Sequence, residues 1–356
     1  MIEQQGTQVP TTWMLGHRPA LDGVRGMAFA MVLVGHAGWP RFNHAHEQGV
    51  ELFFVLSGLL ITSLLLQERT RSGTIAMGAF YSRRARRLLP ALYVLLAVLT
   101  LATVLGIDRL RATDVGIIGG LTYTSNLATA MGWHTGNLNH LWSLAVEEHF
   151  YLFWPIALSL ASGRGAVRVR RIAFTIAGLL LVSSVWRIMA SHGGADHLRW
   201  LHPATQFRIA GPLVGAAAAL YLYRFRPALT GWWWTVIGVV ALLATAWLSN
   251  SPPFDTAARY MLITMPLGTI TSLALVMSVL SPTGPLVWLF SLAPLRWLGR
   301  YSYAGYLWHY PIYAAIGPMT ALTTERTALA VAITLVVAWC STRFIESRWR
   351  RPAISG

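Results

Sequence analysis

The chain contains no lysine, and all 28 of its basic residues are arginine. A lysine general base and a lysine Schiff base are thereby excluded. A single cysteine, Cys340, sits inside an apolar stretch, which excludes an internal disulfide and most thiolate metal sites. Charge is scarce, at 12% of residues against 55% hydrophobic. The alternating polarity of a β-barrel is missing as well: Leu179 to Val185 and Val236 to Ala246 offer no strand alternation. The first twenty residues have no apolar core, so no cleaved signal peptide is expected and the first span is expected to direct insertion itself. No internal repeat and no linker to a soluble domain is visible.

What is present is a series of apolar runs of membrane-crossing length. They predict an all-α polytopic membrane protein, a bundle of about ten transmembrane helices near 21–39, 49–67, 88–106, 144–161, 172–190, 207–223, 232–249, 259–281, 302–320 and 326–344. The net charge of +15 does not point to nucleic acid, because the arginines fall between the apolar runs as membrane anchors do. With both termini in the cytoplasm, 20 of the 28 arginines lie on the cytoplasmic side, as the positive-inside rule requires. Counting 115–131 as a further span would reverse everything after it. The expected organisation is therefore a cytoplasmic segment over 1–20, a membrane domain over 21–345 with a long, partly re-entrant extracytoplasmic segment at about 107–143, and a basic cytoplasmic tail over 346–356.

Several titratable residues fall in or beside these runs, where burial makes them expensive. Arg25 and His36 have ten residues between them on the first span, which separates them by about 16 Å on a helix. Glu51 returns to the level of His36 after a short connection, so His36 with Glu51 is a candidate base–carboxylate dyad, with Arg25 below it. His44, His46 and Glu47 lie between the two spans and read as solvated loop residues rather than a metal site. In "FYSRRARRLLP", Arg84 and Arg87 are one helical turn apart and suit phosphate recognition; the doubled arginines also admit Arg83 and Arg86. Glu147 and Glu148, with Tyr151 one turn on, open the fourth span, and at least one of the two acids should face the bundle. His309 belongs to an aromatic stretch, "YSYAGYLWHYP", whose plainer reading is interfacial anchoring around a packed histidine.

Taken together, "LDGVRGMAFAMVLVGH" from Leu21, "GVELFFVLSGLLIT" from Gly49, "FYSRRARRLLP" from Phe80, "HLWSLAVEEHFYLFWP" from His140 and "YSYAGYLWHYPI" from Tyr301 resemble the integral-membrane acyltransferase-3 family of O-acyltransferases. The resemblance implies transfer of an acyl group from cytoplasmic acyl-coenzyme A to a hydroxyl on a sugar-containing acceptor, such as a cell-surface glycan, a glycolipid or a glycosylated secondary metabolite. It makes His36 the essential catalytic residue with Arg25, and Arg84 and Arg87 the arginine pair before the third span. From the residues themselves, Glu147, Glu148, Tyr151 and His309 are candidate acceptor-pocket or supporting residues. No cofactor beyond the acyl donor and no metal is implied, and a bacterial cytoplasmic membrane is the expected location. Some members carry an esterase-like soluble domain at the C-terminus, whereas this sequence stops at "ESRWRRPAISG", so transfer is expected to be completed by the membrane domain or by a separate protein. Two positions depart from the pattern: Glu51 stands where aspartate is frequent, and His149 where glutamine is common.

The expected mechanism threads the thioester inward until His36 deprotonates the acceptor hydroxyl for direct attack; an acyl-histidine intermediate is the competing route. A transporter or flippase with His36 and Glu51 in a proton path is the alternative class, and it would call for inverted repeats.

Overall fold

The computed structural model of the chain describes residues 14–163, 167–192, 203–250, 256–317 and 323–349. Among these residues no strand occurs, only an isolated bridge between Ala112 and Gly136. A long helix lies over each expected apolar run. In chain order these are α1 (Pro19–Gly35), α2 (Ala45–Ser72), α3 (Met77–Val104), α4 (Leu141–Ser162), α5 (Val169–Ser191), α6 (Ala210–Phe225), α7 (Trp233–Asn250), α8 (Ala257–Ser278), α9 (Ala293–Ile316) and α10 (Thr324–Trp349).

Six of them, α2, α3, α5, α7, α8 and α10, are long and apolar enough to cross a membrane. The expected count of about ten is not reached on length and composition, and the reason is physical. Helices α1 and α6 have 17 and 16 residues, and so extend only about 25 Å. Glu147 and Glu148 lower the hydropathy of α4, and Arg296 and Arg300 that of α9, although both helices run unbroken. On the outside of the bundle α5, α7 and α10 expose Leu181, Val240 and Val336, side chains that face lipid in a multi-pass membrane protein. Residues 107–143 hold one short 3₁₀ turn and two short helices, Asp114–Thr122 and Ser125–Ala130, neither long enough to span.

The packing of α1 positions the chemistry. It starts on Pro19, whose missing N–H costs nothing there, and carries Asp22 in the first turn, where the helix dipole favours an acid. A Cβ on Gly26 would lie 2.0 Å from the Leu295 carbonyl oxygen, and one on Gly299 would lie 1.9 Å from that of Asp22. Only glycine at both places lets α1 and α9 touch backbone to backbone. The two helices run the same way from this crossing, so ten residues later His36 and His309 come level. The chain then turns at Gly38, which takes φ +73°, and α2 comes back antiparallel, with Gly35 against the backbone of His46.

Replacing Gly299 by valine is expected to cost more than the ~1–3 kcal/mol typical of overpacking, because backbone rather than a flexible side chain blocks the new atoms. The check is the thermal unfolding midpoint of purified protein; an unchanged midpoint would contradict the crossing.

Candidate active site

Three imidazoles meet where α1 ends, α4 begins and α9 passes. His36 caps α1, and its Nδ1 donates to the Val32 carbonyl at 2.9 Å. Because a carbonyl only accepts, this bond fixes the proton on Nδ1 and leaves a lone pair on Nε2. His309 on α9 is fixed the same way, Nδ1 to the Tyr306 carbonyl at 2.6 Å, and His140, just before α4, through Nε2 to the Leu307 carbonyl at 3.0 Å. The His36 and His309 ring centroids are 5.0 Å apart, and those of His140 and His309 5.3 Å. Nε2 of His309 and Nδ1 of His140 are buried with no hydrogen-bond partner among the described residues. His36 alone of the three retains partial exposure.

The carboxylate nearest this cluster is not Glu51. α2 begins at Ala45, a turn earlier than expected, so His46 and Glu47 are helical rather than loop residues, and Glu47 is only 6% exposed. The His46 ring packs on His36 with centroids 4.6 Å apart, and His46 Nε2 lies 3.6 Å from Glu47 Oε1. Glu51, one turn further, accepts from the Thr269 hydroxyl at 2.5 Å and lies 3.8 Å from Arg208 Nη1. The contacts of Glu51 are thus with Thr269 of α8 and Arg208 rather than with His36, one helical turn having directed its carboxylate toward α8.

Arg208 joins the two acids. It sits on the short helix Thr205–Arg208, 2% exposed, and donates to Glu47 at 2.5 Å and to Tyr260 at 2.6 Å. Tyr260 opens a π-helical turn of α8, Tyr260–Thr264, a local widening often found where a helix serves a site. Arg187 of α5 donates to the Phe207 carbonyl at 3.0 and 2.6 Å. His149 of α4 pairs with Thr205 at 2.8 Å, which gives that unusual histidine a place: it anchors the turn that carries Arg208.

At the other end of α1 a cavity of about 360 Å³ is lined by Arg25, Arg84, Arg87, Ser57, Glu147 and Tyr303, among others. Arg84 forks onto the Glu148 carboxylate at 2.8, 3.1 and 3.2 Å and stacks over Tyr151. Tyr151 and Ser57 both donate to Glu147. Arg25 reaches Ser302 at 3.5 Å. Arg83 is not part of this cavity: its side chain is 59% exposed and lies 4.0 Å from Glu68. Arg25, Leu144, Glu147 and Tyr303 also line a smaller pocket of about 60 Å³, which reaches Ser143 and Tyr306. The Tyr306 ring lies 5.2 Å from that of His309, so arginine cavity, small pocket and histidines follow one another along α1 and α9. Among the described residues no group of three or more His, Cys, Asp or Glu is arranged to hold a metal ion.

Comparison with known proteins matches residues 18–343 to an acyltransferase domain, the acyltransferase-3 family. The chain belongs to this family. Among curated proteins it is 32% identical over 358 residues to the peptidoglycan O-acetyltransferase OatA of Listeria monocytogenes, covering 94% of this chain and 56% of that protein. It is also 32% identical over 354 residues to a putative peptidoglycan O-acetyltransferase, YrhL, of Bacillus subtilis, covering 92% and 54%. A putative O-acetyltransferase of Staphylococcus aureus is 29% identical over 363 residues, covering 95% and 58%. This chain thus spans little more than half the length of the relatives it matches. No solved structure matches it.

In this acyltransferase-3 chain the sequence singled out His36, Arg25, Arg84, Arg87, Glu147, Tyr151 and His309, all of which line the arginine cavity or join the histidine cluster. Glu148 is the counter-ion of Arg84, on a wall shared with Tyr151. Sequence reasoning missed His140, Glu47 and Arg208. His140 begins a quoted motif, and Arg208 stands inside an apolar run, where an unpaired arginine would be costly; those were the available signals.

Removing the cation from a buried charge group leaves two carboxylates facing each other. Arg208→Met should therefore destabilise the protein by about 3–5 kcal/mol. Adding Glu47→Gln and Glu51→Gln to that variant should recover most of the loss in thermal unfolding. A single variant as stable as the parent would show that the group contributes nothing.

Proposed function

We propose that this chain transfers an acetyl group from a phosphate-bearing thioester, acetyl-coenzyme A, to a sugar hydroxyl of peptidoglycan, with His36 as general base. The observation that carries the reading is the succession along α1: an arginine-lined cavity, then a narrow pocket, then an imidazole whose tautomer is fixed by the Val32 carbonyl. The acceptor rests on the names of the relatives, and the donor on the guanidinium groups, which suit phosphate oxygens.

In the proposed step, Nε2 of His36 takes the proton of the acceptor hydroxyl while its oxygen bonds to the thioester carbonyl carbon. The carbon–sulfur bond then breaks, and the leaving thiolate receives that proton back from Nε2. His46 and Glu47, rather than Glu51, stand beside the ring that becomes charged. Arg25 and Arg87 hold the donor's phosphates with Arg84, whose charge is shared with Glu148. In this reading these arginines stand at the cytoplasmic face, with both termini on that side and 107–143 outside.

Free thiol released from acetyl-coenzyme A by purified protein, with a peptidoglycan fragment as acceptor, tests the assignment. His36→Ala should lower kcat by about 100- to 10,000-fold in a protein that stays folded. Arg87→Ala should raise the donor KM by about ten- to a hundredfold, and Arg83→Ala should leave it nearly unchanged. Full activity in the His36 variant would remove the proposed base, and ping-pong kinetics would replace direct attack with an acyl-enzyme route.

A further inference from the structure

Beside the arginine cavity a second one, of about 300 Å³, opens where α1 begins and α6 and α8 end. All three are cytoplasmic ends in the reading above. The two cavities are neighbours, because Met14 and Leu15, in the segment that leads into α1, line both. Arg18 and Arg226 line the second cavity, and no carboxylate does. Leu222, Leu229 and Leu280, all buried, give it an apolar floor.

Elsewhere in the protein an acid meets the buried arginines: Arg84 pairs with Glu148, and Arg208 with Glu47. Arg18 and Arg226 differ. Arg18 donates through Nε to the Leu15 carbonyl and through Nη1 to that of Leu280, both at 3.2 Å, which steadies the guanidinium and leaves Nη2 to donate outward. Arg226 directly follows α6, and its side chain has no hydrogen bond or ion pair among the described residues. The first turn of α1 adds the positive end of a helix dipole, which favours an anion. Two guanidinium groups without a carboxylate, set beside an apolar floor, suit a phosphate carried by a ring system.

We propose that this cavity is a subsite for the nucleotide end of the donor, with Arg18 and Arg226 on the ribose 3′-phosphate and the purine against the leucines. The proposal rests on the acyl-coenzyme A reading above and adds where the far end of that donor is held. Coenzyme A carries a diphosphate next to its pantetheine arm and a separate monoester phosphate on the ribose, which calls for two groups of cations set apart. Arg25, Arg84 and Arg87 stand in the first cavity. Arg18 stands in the second, seven residues before Arg25 and so about 10 Å away along α1. A phospholipid headgroup offers the same phosphate chemistry; the wall shared with the arginine cavity favours the donor.

The experiment compares thiol release from acetyl-coenzyme A and from acetyl-3′-dephospho-coenzyme A by the purified full chain, with one peptidoglycan-fragment acceptor. The parent should show a KM about tenfold or more higher for the donor that lacks the 3′-phosphate, the effect of a charge-assisted hydrogen bond. Arg18→Gln and Arg226→Gln should each bring the ratio of the two KM values down toward one. Arg18→Gln also removes two carbonyl contacts that help the fold, so Arg226→Gln carries the test, and thermal unfolding of both shows that native protein is read. Arg224→Gln, at the same end of α6 but outside the cavity, should keep the parent's ratio. Equal KM values for the two donors in the parent would overturn the subsite, as would a ratio unchanged in folded Arg226→Gln or lowered equally by Arg224→Gln. Phosphatidylglycerol added to the micelles and retained through gel filtration by the parent but not by Arg226→Gln, with no preference for the 3′-phosphate, would give the site to a lipid headgroup and overturn the donor assignment. Absence of thiol release from both donors would remove the donor reading itself and the subsite with it, an outcome distinct from turnover without preference.

Discussion

Where two helices each place a glycine at their crossing, their backbones can come together in a way that no side chain allows, and in this chain Gly26 and Gly299 do so for α1 and α9. The rest of the site depends on that contact. It sets the register of two parallel helices, so that His36 and His309 arrive at one level with their rings 5.0 Å apart. The same crossing holds Arg25 within reach of Ser302 and lets Tyr303 and Tyr306 line the spaces beside α1. A side chain at either glycine would separate the helices and take the imidazoles out of contact.

Burying charge in a membrane domain requires that each charge find a partner, and the two ends of the site meet this requirement differently. Around the histidines, Arg208 serves Glu47 and Glu51 and ties α2 to α8 through Tyr260. In the large cavity Arg84 is matched by Glu148, while Arg25 and Arg87 add positive charge to the lining. One group is closed on itself and holds helices together. The other leaves a polar space suited to an anionic ligand.

The helices that fall short of membrane-crossing length or polarity include α1, α4 and α9, and these carry Arg25 and His36, Glu147 and Glu148, and Tyr306 and His309. This coincidence has a cause. A helix shielded by neighbours need not be apolar all round, so the central helices can carry polar groups while α5, α7 and α10 face lipid.

Much was legible in the sequence, because hydropathy and arginine placement act locally. The membrane class, the helix over each apolar run, the motif order of the family and most of the charged candidates needed no coordinates. Which carboxylate lies beside the histidines did not follow from sequence: Glu47 and Glu51 are four residues apart on α2, and only the early start of that helix and the return at Gly38 set Glu47 next to His46, which packs on His36. Arg208 and His140 were equally hidden, since their roles arise from helices far apart in the chain. Sequence by itself determined that the chain is an all-helical multi-pass membrane protein and which residue types are available for chemistry. Tertiary structure alone decided which of them meet, because contact between distant helices is set by packing at a few side-chain-free crossings rather than by any local pattern.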